Sequence, residues 1–360
     1  MKIFKTMEKY DYEQLVYFQD KETGLKGIIC IHDTTLGPAL GGTRIWNYSS
    51  EEEAVLDALR LARGMTYKNS AAGLNLGGGK TVIIGDADKI KSEAFFRSFG
   101  RYVESLNGRY ITAEDVNTTT KDMEYINMET NHVVGLAGKS GNPSPITALG
   151  AFHGIRAGIK YKFGTDDISK FTYAIQGVGQ TGGYLLDYLM EAKAKKIYYT
   201  DINPKNINKI KAVYKDAIFV KPEEIYSLDV DVFVPCALGA ILNDETIPTI
   251  KAKVIAGTSN NVLKDEDKHG KMIMDKGILY APDFVVNAGG VINVYHEIHG
   301  YNKEIVMKDV EKIYDRLLDI FEIATEHNVP TQQAAKLFAE QRIEKIHNVH
   351  RNYLGKKWKE

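Results

Sequence analysis

Across residues 15–31 apolar and polar side chains alternate about a Glu22-Thr23-Gly24 turn, the period of a β-hairpin. The period then lengthens. Val55, Ala58, Leu59 and Ala62 stand at i, i+3, i+4 and i+7, one apolar face of a helix that Ser50 and Glu53 open as a capping box and that is expected to end near Lys68. A further helix is expected over residues 89–106, and residues 109–113 read as a strand running into Glu114 and Asp115. Residues 138–145, GKSGNPSP, form the densest cluster of chain breakers, and the main domain boundary is placed there.

Beyond that boundary strands and helices alternate. Residues 147–160 read as a helix, and short apolar strands are expected over 171–175, 197–200, 230–235, 254–257 and 278–281. Such alternation builds a doubly wound parallel sheet. Val306, Val310, Ile313, Leu317 and Phe321 mark one long helix over 304–325, and Pro330 separates it from a last helix. The fold class is α/β: an N-terminal mixed α/β domain over residues 1–140, a doubly wound Rossmann domain over 141–329, and a C-terminal helix over 330–360.

Chemistry enters at the first strand of the second domain. Gly177, Gly179 and Gly182 follow it in G-x-G-x-x-G spacing, a helical stretch comes next, and the following strand ends in Asp201, 19 residues after Gly182. Glycine spacing alone is weak; strand, helix, strand and acid together specify a dinucleotide site. Gly177 makes the tight turn, Gly179 lets the backbone reach a pyrophosphate, and Gly182 lets helix and strand close up, while the helix N-terminus offers N–H groups and partial positive charge. Asp201 is expected to accept from both ribose hydroxyls and to repel a 2′-phosphate. The expected cofactor is therefore NAD rather than NADP, with Lys205 nearby softening the preference.

The first domain offers a different feature. Residues 73–81, GLNLGGGKT, are read as three glycines delivering Lys80 from a loop into a buried strand, an arrangement that suits a lysine held at the floor of a cleft. A glycine turn before an ordinary solvated lysine is the alternative at this point. Counting excludes a nucleoside triphosphate loop, because G-x-x-x-x-G-K-[ST] needs glycine where the chain has Leu74. Lys68, at the end of the preceding helix, and Asp115, at a strand end, are the other chemistry-bearing candidates of this half.

Composition narrows the partners. With 46 Lys and Arg against 47 Asp and Glu in 360 residues, the formal net charge of -1 gives no electrostatic case for nucleic acid or an anionic membrane, and a small molecule is expected instead. The two cysteines, Cys30 and Cys236, lie in apolar contexts and argue for a reducing compartment. A cytoplasmic location is expected, since no apolar run reaches signal-peptide or membrane-span length. No metal site is expected: His296-Glu297-Ile298-His299 is H-E-x-H rather than H-E-x-x-H.

Taken together, residues 37–44 (GPALGGTR), 65–80 (MTYKNSAAGLNLGGGK), 109–116 (RYITAEDV), 141–145 (GNPSP), 235–240 (PCALGA) and 281–294 (APDFVVNAGGVINV) carry a resemblance. Over nearly its whole length the chain resembles the amino-acid dehydrogenases acting on glutamate, leucine, valine and phenylalanine. The resemblance implies that the first domain binds the amino acid and the second NAD, that the C-terminal helix packs back on the first domain, and that reversible oxidative deamination to a 2-oxo acid and ammonia occurs in the cleft between them. It implies that Lys68 holds the substrate α-carboxylate, Lys80 activates water, Asp115 exchanges a proton with the substrate nitrogen, and Thr147 and Asn261 lie near the nicotinamide. A homo-octamer is also implied.

Relatives that take glutamate have a lysine at the position of Leu40 and a serine at that of Val294. With Gly41, Ala113 and Val291 in the implied lining, the resemblance points to branched-chain substrates: leucine, valine and isoleucine. A member acting on phenylalanine is one alternative. The other is a non-enzymatic NAD-responsive sensor, which would not need Lys68, Lys80 and Asp115 together. A lysine serving as base must be neutral for part of the cycle; burial and the like charge of Lys68 are expected to lower its pKa against the pull of Asp115. Asn117 stands where the family usually has glycine, and Gln180 where it has asparagine. Tyr295 and His296 also depart from it, as does a short loop before Gly141; these bear on loop closure and substrate breadth, not on reaction class.

Overall fold

A computed structural model describes residues 3–349. The chain forms two compact units, one running to Gly141 and resuming at Ala339, the other being Asn142–Phe338.

In the first unit the elements run α1 (Ile3–Tyr10), β1 (Gln14–Asp20), β2 (Leu25–Asp33), β3 (Ala39–Trp46), α2 (Glu51–Ala71), β4 (Gly77–Ile84), α3 (Ala87–Ile90), α4 (Glu93–Ser105), β5 (Tyr110–Glu114) and α5 (Thr120–Asn127). The five strands make one mixed sheet in the order β1-β2-β4-β3-β5. β1 and β2 form the expected antiparallel hairpin, with Gln14 opposite Ile31 and Asp20 opposite Leu25. Alternation along β2 then sends side chains to two cores. Ile29 and Ile31 pack with Phe95, Phe96 and Phe99 of α4, while Ile28 and Cys30 pack with Val55, Ala58, Leu59 and Ala62 of α2. Both faces of the sheet are thus covered by helices.

Three local expectations are corrected here. The capping box is offset: Ser50 Oγ accepts from Glu53 N at 3.1 Å, but the Glu53 carboxylate accepts from Ser49 N at 2.7 Å instead of from Ser50. The helix α2 runs three residues past Lys68, to Ala71. The single helix expected over 89–106 is two, because Lys91 is extended and Ser92 caps a new helix by accepting from Phe95 N.

The second unit contains α6 (Ser144–Phe163), β6 (Thr172–Gln176), α7 (Gln180–Glu191), β7 (Lys196–Thr200), α8 (Pro204–Val213), β8 (Ile218–Phe219), β9 (Val232–Pro235), β10 (Val254–Ile255), α9 (Glu266–Asp275), β11 (Leu279–Tyr280), α10 (Asp283–Val286), α11 (Gly289–Ile298), α12 (Lys303–Glu311) and α13 (Ile313–His327). Its six strands are parallel throughout, in the order β11-β10-β9-β6-β7-β8. This is the doubly wound order, and it reverses between β6 and β9, where such sheets take ligands. The helix expected over 304–325 is divided at Lys312 into α12 and α13. β10 and β11 are two-residue strands, shorter than the expected 254–257 and 278–281.

The expected C-terminal helix is α14 (Thr331–Val349); residues 350–360 of that expectation lie outside the described residues. Its later part belongs to the first unit, where Ala339 O accepts from Ser70 Oγ at 2.8 Å and Arg342 donates to Leu74 O at 2.7 Å. Among the described residues no helix is long and apolar enough to cross a membrane.

Candidate active site

The three glycines before Lys80 are not a loop. Gly77, Gly78 and Gly79 are buried residues of β4 itself, between β2 and β3. Their neighbours explain them: a Cβ at Gly77 would overlap Asp33 O, one at Gly78 would overlap Thr66 of α2, and one at Gly79 would lie 2.8 Å from the Tyr110 ring. Gly41 in β3 is equally constrained, since its Cβ would overlap Gly79 O. Glycine here lets strands and α2 approach more closely than any side chain permits.

This compression sets Lys80 in the sheet centre, opposite Cys30 and two residues before Val82, so that it shares the α2 face. Its side chain is 6% exposed, and Nζ donates to Asp115 Oδ2 at 2.7 Å. Asp115 follows β5, the sheet neighbour of β3. Arg44, on β3, donates from Nε to the same oxygen at 2.9 Å and from NH1 to Asp57 Oδ2 at 3.1 Å. Asp57 also accepts from Tyr48 OH at 2.8 Å and from Arg60 at 2.9 Å. On the opposite face Tyr110 OH donates to Gly41 O at 2.7 Å and accepts from Thr81 Oγ1 at 2.9 Å, which braces β3 against β4 and β5.

Electrostatics separates the two partners. Burial pushes the Lys80 ammonium below its ordinary range; Asp115 opposes this, and the like charge that assists burial is Arg44, rather than the expected Lys68. Burial also disfavours the ionised Asp115, yet Lys80 and Arg44 together hold its carboxyl down to about 2. The asymmetry has a plain cause: Asp115 has two cations, whereas Lys80 shares its single carboxylate with Arg44.

The remaining candidates of this unit lie close by in sequence and sheet. Leu40 and Gly41 are buried in β3, with Leu40 opposite Gly78 and Ile111, and Ala113 is buried in β5 opposite Gly42. Lys68 is half-buried in the last turn of α2. Asn117 has φ +62 and donates from Nδ2 to Ile45 O at 3.0 Å, so the left-handed position usually given to glycine is taken by the residue type that best tolerates it. Sequence reasoning missed the clamp of Arg44 and Asp57. The only signal was Arg44 itself, directly after the glycine pair of β3.

In the second unit the glycine turn has the expected form. Gly177 has φ +92 and packs on Ala237, a Cβ at Gly182 would overlap Gly177 O, and Gly179 caps α7 with no side chain on its N–H groups. A Cβ at Gly179 would meet only Asn206 Nδ2, at 4.0 Å. That is open space at a helix N-terminus, which fits a pyrophosphate. Asp201 follows β7; it accepts from Val178 N at 2.9 Å, Asn203 N at 2.7 Å and Asn206 Nδ2 at 3.1 Å. Three of a carboxylate's roughly four acceptor positions are thereby used, which fixes its orientation and leaves less room than two ribose hydroxyls ask. Thr147 is half-buried on α6, with its Oγ1 donating to Pro143 O, and Asn261 is exposed after β10 at φ +49. Val291 and Val294 are half-buried on α11. His296 bonds Asp309 at 2.8 Å, and among the described residues no His, Cys, Asp and Glu group is placed to hold a metal.

Residues 12–132 match the family model described as Glu/Leu/Phe/Val dehydrogenase, dimerisation domain, and residues 138–351 match that of Glutamate/Leucine/Phenylalanine/Valine dehydrogenase. The chain is 58% identical to the leucine dehydrogenase of Thermoactinomyces intermedius, with 98% of this chain and 97% of that one covered. It is 56% identical to the leucine dehydrogenase of Bacillus subtilis strain 168, over 98% and 97%. The crystal structure of L-tryptophan dehydrogenase from Nostoc punctiforme superposes with a TM-score of 0.87 at 46% identity, covering 96% of this chain and 99% of that one.

Proposed function

We propose that this chain, which belongs to the glutamate/leucine/phenylalanine/valine dehydrogenase family, oxidatively deaminates the branched-chain L-amino acids leucine, valine and isoleucine, with NAD as the hydride acceptor. The observation that carries the reading is the buried Lys80–Asp115 pair at 2.7 Å. A base and a proton carrier in contact are what an imine-forming and imine-hydrolysing reaction needs.

In this reading Lys68 holds the substrate carboxylate and Asp115 takes a proton from the substrate ammonium. NAD supplies, when bound, the carbon that accepts the hydride from Cα. Lys80 in its neutral form removes a proton from the water that attacks the resulting imine carbon, and burial favours that neutral form. Asp115 then returns a proton to nitrogen, and ammonia leaves the carbinolamine as the 2-oxo acid forms. The family resemblance assigns Leu40, Gly41 and Ala113 of the first unit and Val291 and Val294 of the second to substrate side-chain recognition, and none of these five residues is a cation that would reward a second carboxylate. One methylene is worth roughly 1 to 3 kcal/mol against apolar side chains, so all three branched-chain substrates react.

On the cofactor side Gly177, Gly179, Gly182 and Asp201 hold the adenosine half, with Thr147 and Asn261 toward the nicotinamide. A carboxylate at Asp201 favours NAD over its 2′-phosphorylated form. Cysteine usage supports a cytoplasmic setting, and the dimerisation domain supports self-association, here proposed to be an octamer and tested by light scattering.

The test is NAD reduction at alkaline pH with leucine, valine, phenylalanine, tryptophan and glutamate in parallel, each repeated with Lys80→Ala. Activity on the branched-chain substrates that vanishes in the variant supports the whole reading. Turnover of an aromatic substrate alone overturns the substrate class and keeps the reaction.

A further inference from the structure

The charged groups around Lys80 form a chain that extends past the reacting residues. β3 lies between β4 and β5 in the sheet, so Arg44 rises between Lys80 on one side and Asp115 on the other. The hydrogen bonds described for the Asp115 side chain all end on Oδ2, from Lys80 at 2.7 Å and Arg44 at 2.9 Å. Arg44 is in turn held from behind, since NH1 donates to Asp57, which is itself fixed by Tyr48 and Arg60. The guanidinium therefore uses two different edges, Nε toward Asp115 and NH1 toward Asp57, and its plane is set.

We infer that Arg44 is a positioning residue of the reaction: it pins Oδ2 of Asp115, so that Oδ1 is the oxygen that exchanges the proton with the substrate nitrogen, and Asp57 is the strut that holds Arg44 in place. This rests on the proposed reading of Asp115. A single ammonium contact leaves a carboxylate free to rotate about its Cβ–Cγ bond. A second donor from another strand removes that freedom, and a planar fork does so in a way an ammonium cannot. Gly42 contributes from the backbone side, because a Cβ there would lie 2.7 Å from Asp115 Cβ and push the carboxylate away.

The arrangement also acts on Lys80. The charged and titratable groups around the pair are Cys30 from β2, opposite Lys80 and kept as a neutral thiol by burial, Arg44 from β3, Tyr48 from the loop after it, Asp115 from the end of β5, and Glu53, Asp57 and Arg60 from α2. Loss of the Arg44 charge removes a like charge from Lys80 and a partner from Asp115. Both groups then hold protons more tightly, so the ascending limb of the kcat/KM profile moves to higher pH.

A cavity of about 630 Å³ lined by Arg44, Trp46, Tyr48, Leu56, Arg60 and Val116 opens beside the guanidinium. It offers a small cation a path to the position vacated by a truncated Arg44. The experiment compares wild type, Arg44→Ala, Arg44→Lys, Asp57→Asn and Lys80→Ala in leucine-dependent NAD reduction across neutral to alkaline pH, with and without ethylguanidinium. Arg44→Ala is expected to lower kcat by roughly 100-fold, the scale of a misplaced reacting group, with KM for leucine changed by less than about threefold, because Lys68 is untouched. Its ascending limb moves upward, and ethylguanidinium restores at least about tenfold of the lost rate in Arg44→Ala but none in Lys80→Ala. Arg44→Lys regains part of the rate, and Asp57→Asn loses roughly 3- to 10-fold through Arg44.

Wild-type kcat and an unmoved limb in Arg44→Ala overturn the inference. So does a loss that ethylguanidinium leaves untouched with an unshifted limb, which is the behaviour of a residue needed only for folding. Should Arg44→Ala fail to fold, Arg44→Lys and Asp57→Asn decide by the same kcat and pH criteria. Full activity in Lys80→Ala refutes the reading of the site itself, and this inference with it.

Discussion

Gly179 and Gly182 stand three residues apart at the start of α7, and the structure gives them opposite sensitivities. At Gly182 an alanine Cβ would overlap Gly177 O and lie 2.9 Å from Cys236 Cβ, so helix and glycine turn must part by about 1 Å in a region of native packing density. Overpacking of this kind costs roughly 1 to 3 kcal/mol. For a unit of this size that lowers Tm by about 2 to 12 °C. At Gly179 the Cβ would meet only Asn206 Nδ2 at 4.0 Å, so no packing contact opposes alanine and Tm is expected to fall less than in Gly182→Ala. The same methyl group occupies the space a pyrophosphate would take. NAD affinity of Gly179→Ala is therefore expected to fall at least about tenfold, equivalent to about 1.4 kcal/mol. The assays are thermal unfolding without nucleotide and titration calorimetry with NAD. A Gly179→Ala protein of normal stability that binds NAD as wild type does would refute the assignment of this turn to the pyrophosphate.

Two further outcomes follow from the first unit. Tyr110→Phe removes the hydroxyl that bonds Gly41 O and Thr81 in a fully buried position; a loss of about 1 to 3 kcal/mol is expected in urea unfolding, and a loss below about 0.5 kcal/mol would mean that the brace is not one. Asp115 ionises near 2 against an ordinary 3.8. A depressed carboxylate contributes stability above its unfolded pKa and loses it as pH falls through the folded value. Wild type should accordingly weaken relative to Asp115→Asn between about pH 4 and pH 2, read as the difference in urea midpoints, and parallel curves would contradict the pairing.

What the sequence made legible was local. The β6–α7–β7 segment carries strand, glycine spacing, helix and acid within one stretch, and periodicity located α2 and the hairpin. What it hid was long-range. Residues 77–79 have no side chain from which a period can be read, and only the pressure of β2, β3 and α2 makes them strand. The breaks at Lys91 and Lys312 lie inside patterns whose apolar spacing continues across them. Arg44 became visible only when β3 was placed between β4 and β5, because its partners Asp57 and Asp115 are 13 and 71 residues away. Asp201 was found by spacing, but its bonds to Val178, Asn203 and Asn206 depend on the turn's own conformation.

The side-chain-free strand before Lys80 has a consequence for how this protein can change. Each of Gly41, Gly77, Gly78 and Gly79 faces an atom that a methyl group would strike. The inheritance available to these codons is therefore close to a single letter. A library of random variants is expected to return folded clones with little diversity along this seam, and on the proposed reading drift toward new substrates is written instead at positions such as Leu40, Ala113, Val291 and Val294, which carry side chains.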